Sequence, residues 1–156
     1  MMRLRHGSKA IRLAMTAAIL LSGPASAETR NAEPPKEATM TRIHVIVGHA
    51  TLSATLDDTP AGRDFATLLP LELVLSDYHA TEKVADLPRK LDTTDAPARY
   101  TPKAGDITYY APWGNLAIFQ KPFQTSRGLV RLGAFDGPID ALLKDGAIPV
   151  RIEVAE

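Results

Sequence analysis

The sequence predicts an all-β fold, with seven or eight short strands closed into a barrel or packed as a sandwich and two short helices. Three observations carry this. Apolar residues recur at every second position in stretch after stretch, as strands with one buried face require. Gly, Pro, Asn and Asp punctuate these stretches at short intervals. The strand–helix–strand rhythm of a parallel α/β fold does not appear.

The elements follow in order. Ile43, Val45 and Val47 alternate with Arg42, His44 and Ile46; after Gly48-His49, Leu52, Ala54 and Leu56 alternate with Thr51, Ser53 and Thr55. That pattern is a hairpin with one buried face. Thr59 then suits a helix cap and Pro60 a first helical turn. Phe65, Leu68 and Leu69 fall at helical spacing, and Pro70 stops the run. Leu71, Leu73 and Leu75 restore the period of two over residues 71–78. From His79 to Asp106 the chain reads mostly as loop with short extended pieces, broken by Pro88, Pro97, Pro102 and Gly105. A connection of that length in a compact domain often covers a site.

Residues 107–111 and 116–120 read as strands flanking the corner Pro112-Trp113-Gly114-Asn115, and residues 129–135 alternate again. Pro138 to Lys144 reads as a second short helix, with Ile139, Leu142 and Leu143 inward and Gly146 closing it. Ile148, Val150, Ile152 and Val154 mark a terminal strand, in which Pro149 has no amide to donate and must face away from the ladder or lie at an edge or bulge. The two helices fit as plugs where the ends of a barrel would otherwise expose an apolar interior.

The N-terminal part does not belong to this domain. Residues 3–12 are basic, 13–22 are apolar or small, and Gly23-Pro24 leads to Ala25-Ser26-Ala27. A basic start, a short apolar run and a small-residue site predict a secretory signal peptide over residues 1–27, hence a periplasmic or secreted protein after cleavage near Ala27. The apolar run is short for a membrane span, which needs roughly twenty residues. Cysteine is absent, which excludes both disulfides and a thioether lipid anchor. Residues 28–40, with Pro34-Pro35 and no periodicity, predict a flexible leader, and residues 41–156 the folded domain. Without residues 1–27 the chain keeps 14 Lys and Arg against 18 Asp and Glu, a net charge of −4. A mildly acidic domain lacks the electrostatic footprint of a nucleic-acid partner or of binding to an anionic membrane.

Three segments resemble the bacterial cyclophilin-like fold family: RDFATLLPLELVLSDYHATEKVADLPRKL (63–91), GDITYYAPWGNLAIFQK (105–121) and GLVRLGAFDG (128–137). The resemblance extends from about Ile43 to Val154. It implies a closed cyclophilin-like eight-stranded barrel with a short helix near each end, and no particular reaction. The likeness to true cyclophilins is one of fold. Those enzymes isomerise X-Pro bonds with an arginine in a Phe-His-Arg run and a later Gln-Gly-Gly segment. Here no His-Arg dipeptide and no Gln-Gly-Gly occurs, and the Phe-Gln pairs are Phe119-Gln120 and Phe123-Gln124. No catalytic residue carries over by motif, and a shared barrel does not transfer activity.

Four of the nine Phe, Tyr and Trp residues fall within residues 105–121. Neighbours in a strand face opposite ways, so Tyr109 and Tyr110 cannot both enter the core. The corner at Trp113 either closes the barrel end or forms the wall of a site for an apolar or proline-containing ligand. Arg127, Asn115 and Gln120 offer polar groups nearby; Arg127 is either a solvated loop cation or a donor to a carbonyl or carboxylate. The candidate ligand-binding set is therefore Tyr110, Trp113, Asn115, Phe119 and Arg127.

His44, His49 and His79, with Asp77 and Glu82 near the last, match no metal-ligand spacing. Neither a phosphate-binding glycine loop nor a nucleophile elbow around Ser53 or Ser126 is present, so no metal or cofactor is expected. The charges Glu82, Lys83, Arg89 and Lys90 read as a solvated cover or one side of a cleft. Function is expected to be a non-catalytic exported module binding a small molecule or an extended peptide. The alternatives are a weak peptidyl-prolyl isomerase with Arg127 as donor, and an oligomeric scaffold using the aromatic corner as its interface.

Overall fold

Alternation sets an inside and an outside for each strand, and the register of neighbouring strands closes the insides into one barrel. The computed structural model describes residues 39–156. The expected signal peptide, and the expected leader up to residue 38, lie outside the described residues. Ten strands occur among them: β1 (Thr41–Val47), β2 (Ala50–Leu56), β3 (Leu71–Tyr78), β4 (Glu82–Asp86), β5 (Arg99–Tyr100), β6 (Asp106–Tyr110), β7 (Asn115–Phe119), β8 (Ser126–Arg127), β9 (Leu129–Phe135) and β10 (Ile148–Val154). Eight close an antiparallel barrel in the order β1-β10-β3-β4-β7-β6-β9-β2, while β5 and β8 form a separate two-stranded sheet. Full closure leaves the barrel no exposed sheet edge.

The expected hairpin is β1–β2, in register from Thr41↔Leu56 to Val47↔Ala50. The pairing of β10 with β1 ends at Ile46↔Arg151, so Pro149 opposes only Val74 of β3. Its missing amide therefore costs little of the ladder. The seam between β2 and β9 has three pairs and allows close approach: a Cβ on Gly133 would lie 2.2 Å from the Thr55 carbonyl oxygen.

One helix, α1 (Pro60–Ala66), plugs one mouth of the barrel with the fully buried Phe65. The Thr59 side chain accepts a hydrogen bond from the Gly62 amide, as its position before Pro60 predicts. The opposite mouth is closed differently from the expectation. The second helix is a single 3-10 turn, Asp140–Leu142, with Leu142 buried and Leu143 49% exposed rather than inward. Gly146 follows in a left-handed conformation (φ +84°), turning the chain into β10 before an α-turn can close.

The expected loop between His79 and Asp106 also needs correction, because β4 lies within it and joins β3 to β7. The reason is Lys83. It occupies an inward position opposite Ile118, is 0% exposed, and so breaks the apolar alternation. Its ammonium donates to the Lys144 and Gly146 carbonyls and pairs with Asp77 at 2.6 Å, which uses all three donors. Asp77 in turn accepts from the Gly146 amide. A buried lysine thus ties the 3-10 segment across the mouth that Leu142 fills.

Candidate functional site

Strand β7 is buried on both faces. Leu116 and Ile118 join the barrel core, while Ala117 and Phe119 on the outer face form a second cluster with Leu129. Val84, Tyr100 and Tyr110 pack against that cluster. The small β5–β8 sheet covers this outer patch, paired at Arg99↔Arg127 and Tyr100↔Ser126. It is pinned to the barrel by the Tyr100 hydroxyl, which donates to Asp106 at 2.7 Å. Burial, then that bond, pushes the Tyr100 phenol up to about 12. Arg131 bridges Asp106 and Asp57 beneath it.

The cover is incomplete. Between the outer face of β7, the segment Phe123–Arg127 and the β3–β4 turn lies a cleft of about 560 Å³. Asn115, Ala117, Phe119 and Leu129 form its floor, Phe123 and Arg127 its roof, and Tyr78, His79 and Glu82 its far wall. Tyr110 and Trp113 stand at one end. All five residues singled out in the sequence, Tyr110, Trp113, Asn115, Phe119 and Arg127, line this one cleft.

The corner is positioned by two glycines. Gly114 (φ +74°) closes the turn in which the Trp113 and Gly114 amides both donate to the Tyr110 carbonyl. Gly128 (φ +78°) packs so tightly on Pro112 that a Cβ there would lie 2.9 Å from the proline ring. Tyr109 and Tyr110 separate as strand geometry demands. Tyr109 is in the core, its hydroxyl accepting from the Leu91 amide, whereas Tyr110 faces the cleft. Trp113 does not close the barrel end: it is 60% exposed and stands over the cleft.

Three polar groups in the cleft have unspent capacity. The Asn115 side chain is 6% exposed and its Oδ1 is buried without a hydrogen-bond partner. Glu82 is half-buried; burial pushes its carboxyl up, and it makes no ion pair or hydrogen bond with a described residue. Arg127, on strand β8 rather than in a loop, likewise has no ion pair with a described residue. The turn carrying His79 is a tight one in which His79 and Ala80 both take left-handed conformations (φ 51° and 50°). Turns of this kind favour Asn or Gly, so two other residues there hold strain.

Tyr78, Phe123 and Leu129 are cleft residues that the sequence reading did not single out, and Glu82 was read only as part of a charged cover or one side of a cleft. A signal existed for Tyr78: with Leu71, Leu73 and Leu75 inward, it is an aromatic ring on the outer side of β3. For Glu82 the signal was masked, because its strand was hidden by Lys83. Among the described residues, no three His, Asp or Glu side chains gather where they would share a metal ion. No helix there is long and apolar enough to cross a membrane.

No curated protein matches the chain. Among solved structures, the solution structure of a hypothetical protein from Archaeoglobus fulgidus superposes with a TM-score of 0.59 at 13% identity, covering 78% of this chain and 99% of that one. At that identity the likeness concerns the fold. Residues 45–153 match the sequence pattern of the cyclophilin-like family, which spans nearly the whole barrel from β1 to β10. The chain therefore belongs to the cyclophilin-like family.

Proposed function

We propose that this protein is an exported, non-catalytic binding module that holds a small molecule or an extended peptide in the cleft beneath Trp113. One observation carries the reading. The largest aromatic side chain of the domain is 60% exposed, and it stands over a cleft floored by an apolar cluster separate from the barrel core. Pockets of this volume with aromatic walls and few polar groups suit small ligands. The absence of a cyclophilin motif in the sequence supports binding over catalysis. Trp113 is the single tryptophan, so intrinsic fluorescence has one source. Titration with proline-containing peptides and a panel of metabolites is expected to give a saturable shift that Trp113→Phe abolishes in calorimetry. Emission that no ligand moves would defeat the reading.

Arg127 favours a second reading. It lines the same cleft as Phe119 and Phe123 and pairs with no described carboxylate, which leaves its guanidinium able to donate to a twisting amide. On this reading the protein accelerates X-Pro isomerisation weakly and Arg127→Ala removes the acceleration. A rate equal to the uncatalysed one excludes it.

A further inference from the structure

Trp113 stands nearly perpendicular to two tyrosines, with ring centroids 5.3 Å from Tyr110 at 83° and 5.7 Å from Tyr78 at 81°. The rings come from β3, β6 and the β6–β7 corner, which the strand order β3-β4-β7-β6 brings near one another. The indole lines the cleft and is 60% exposed. Aromatic faces attract a cation through the ring quadrupole, and several rings set at right angles do so from more than one side.

The same cleft holds a carboxylate that no described residue neutralises. Glu82 is half-buried on the wall beside Tyr78, opposite Phe119 in register, and its carboxylate has no partner among the described residues. Besides the tyrosines, the other titratable side chains lining the cleft are His79 and Arg127. Arg127 sits on the roof and forms no ion pair with Glu82, so the two charges stay apart. A partly desolvated carboxylate without a counter-charge is unfavourable, and a cation arriving from solution relieves it. A hard metal ion would need several oxygen ligands, and such a cluster is not found among the described residues. A weakly hydrated organic cation needs one counter-charge and apolar walls, which Phe119 and Leu129 extend.

We propose that the cleft selects a small organic cation, a quaternary or alkylated ammonium group, seated against Trp113, Tyr78 and Tyr110 with Glu82 as its counter-ion. The inference rests on the cleft being a binding site, and the test separates the two. Calorimetry on the full chain compares choline with its neutral carbon isostere, in which a quaternary carbon replaces the nitrogen. Choline is expected to bind at least about tenfold more tightly than the isostere. Glu82→Gln, a nearly isosteric change, is expected to remove most of that advantage and leave the isostere's affinity and the circular dichroism unaltered. An isostere that binds as well as choline, or choline affinity indifferent to Glu82→Gln, overturns the cation inference while leaving a binding site in place. If choline, the isostere and the peptide and metabolite panel all fail to bind, both readings fall together.

Discussion

The two faces of β7 show what this fold does with burial. On the inner face, Leu116 and Ile118 sit in a continuous core sealed at one mouth by Phe65 and at the other by Leu142 and Lys83. On the outer face, Ala117 and Phe119 are as well buried, yet under a cover of two short strands held by two residue pairs. A few further bonds fasten that cover. The Thr101 and Thr125 hydroxyls lie 2.6 Å apart, and the Phe123 amide donates to Pro102. The inner face is a closed volume with its polar groups paired. The outer face keeps an amide oxygen, a carboxylate and a guanidinium that no described residue partners. The contrast teaches that the barrel supplies stability, and that groups with unspent interactions gather where the packing is left open.

The sharpest way to break this contrast is at the closing seam. Gly133→Ala puts a methyl 2.2 Å from the Thr55 carbonyl oxygen and 2.8 Å from Leu56 Cα, both backbone atoms that cannot swing aside. Loss of on the order of 3 kcal/mol, or failure to fold, is expected in urea unfolding. Next comes the core itself. Ile118→Ala is expected to cost about 3 kcal/mol by the same measurement, with ligand affinity per folded molecule little changed.

At the Lys83 mouth the order of two variants is informative. Asp77→Ala leaves a buried ammonium without its carboxylate, whereas Lys83→Met replaces that ammonium with an apolar chain and frees Asp77 to meet water. Thermal melts should therefore rank Asp77→Ala as the less stable; the reverse order would mean that the pair contributes little.

Acid titration reads two surface anchors. The Arg89 guanidinium, then the Asp92 amide, hold the Asp64 carboxyl down to about 2 from an ordinary 3.8. Lys83, then the Gly146 amide, lower Asp77. Both carboxyls bind protons more readily in the unfolded chain. The stability each adds is fully present above its ordinary value and fades as pH falls below it, for Asp64 from about 3.8 toward 2. Asp64→Asn is expected to flatten the stability profile in that window, and an unchanged profile would rule out this coupling. The smallest effect on stability belongs to the roof. Phe123 is 44% exposed and stacks on Phe119 at 6.3 Å. Phe123→Ala should shift unfolding by only about 0.5 kcal/mol, yet weaken any ligand held in the cleft.

Much of the fold was legible because strand alternation is local. Each of β1, β2, β3, β9 and β10 announces its inward face within a few residues, and Thr59-Pro60 announces α1 in two. What escaped were places where tertiary partners override the local pattern. Lys83 is an inward charge made tolerable by Asp77 on the neighbouring strand and by the carbonyls of Lys144 and Gly146, some sixty positions away in the chain. Leu143 looked inward by helical spacing until the chain closed with one 3-10 turn. In the cleft, Tyr110, Trp113, Asn115 and Phe119 stood out as a single aromatic corner. Arg127 stood out as a donor nearby, Glu82 only as one charge of a cover or cleft side, and Tyr78 did not stand out at all.

By itself, then, the sequence determined an all-β domain with a defined core face on most strands, a capped helix, a tight Pro-Trp-Gly corner and the family pattern that runs through them. These depend on residue spacing, turn chemistry and capping, all of which act over a few bonds. Only the tertiary structure decided that Trp113 faces outward, that β4 joins the barrel, and that Tyr78 and Glu82 meet Trp113 and Phe119 across one cleft. Those neighbours lie about 35 positions apart. They come together when strand register and barrel closure are set by the burial of the whole core, a sum of weak contacts that no single segment specifies.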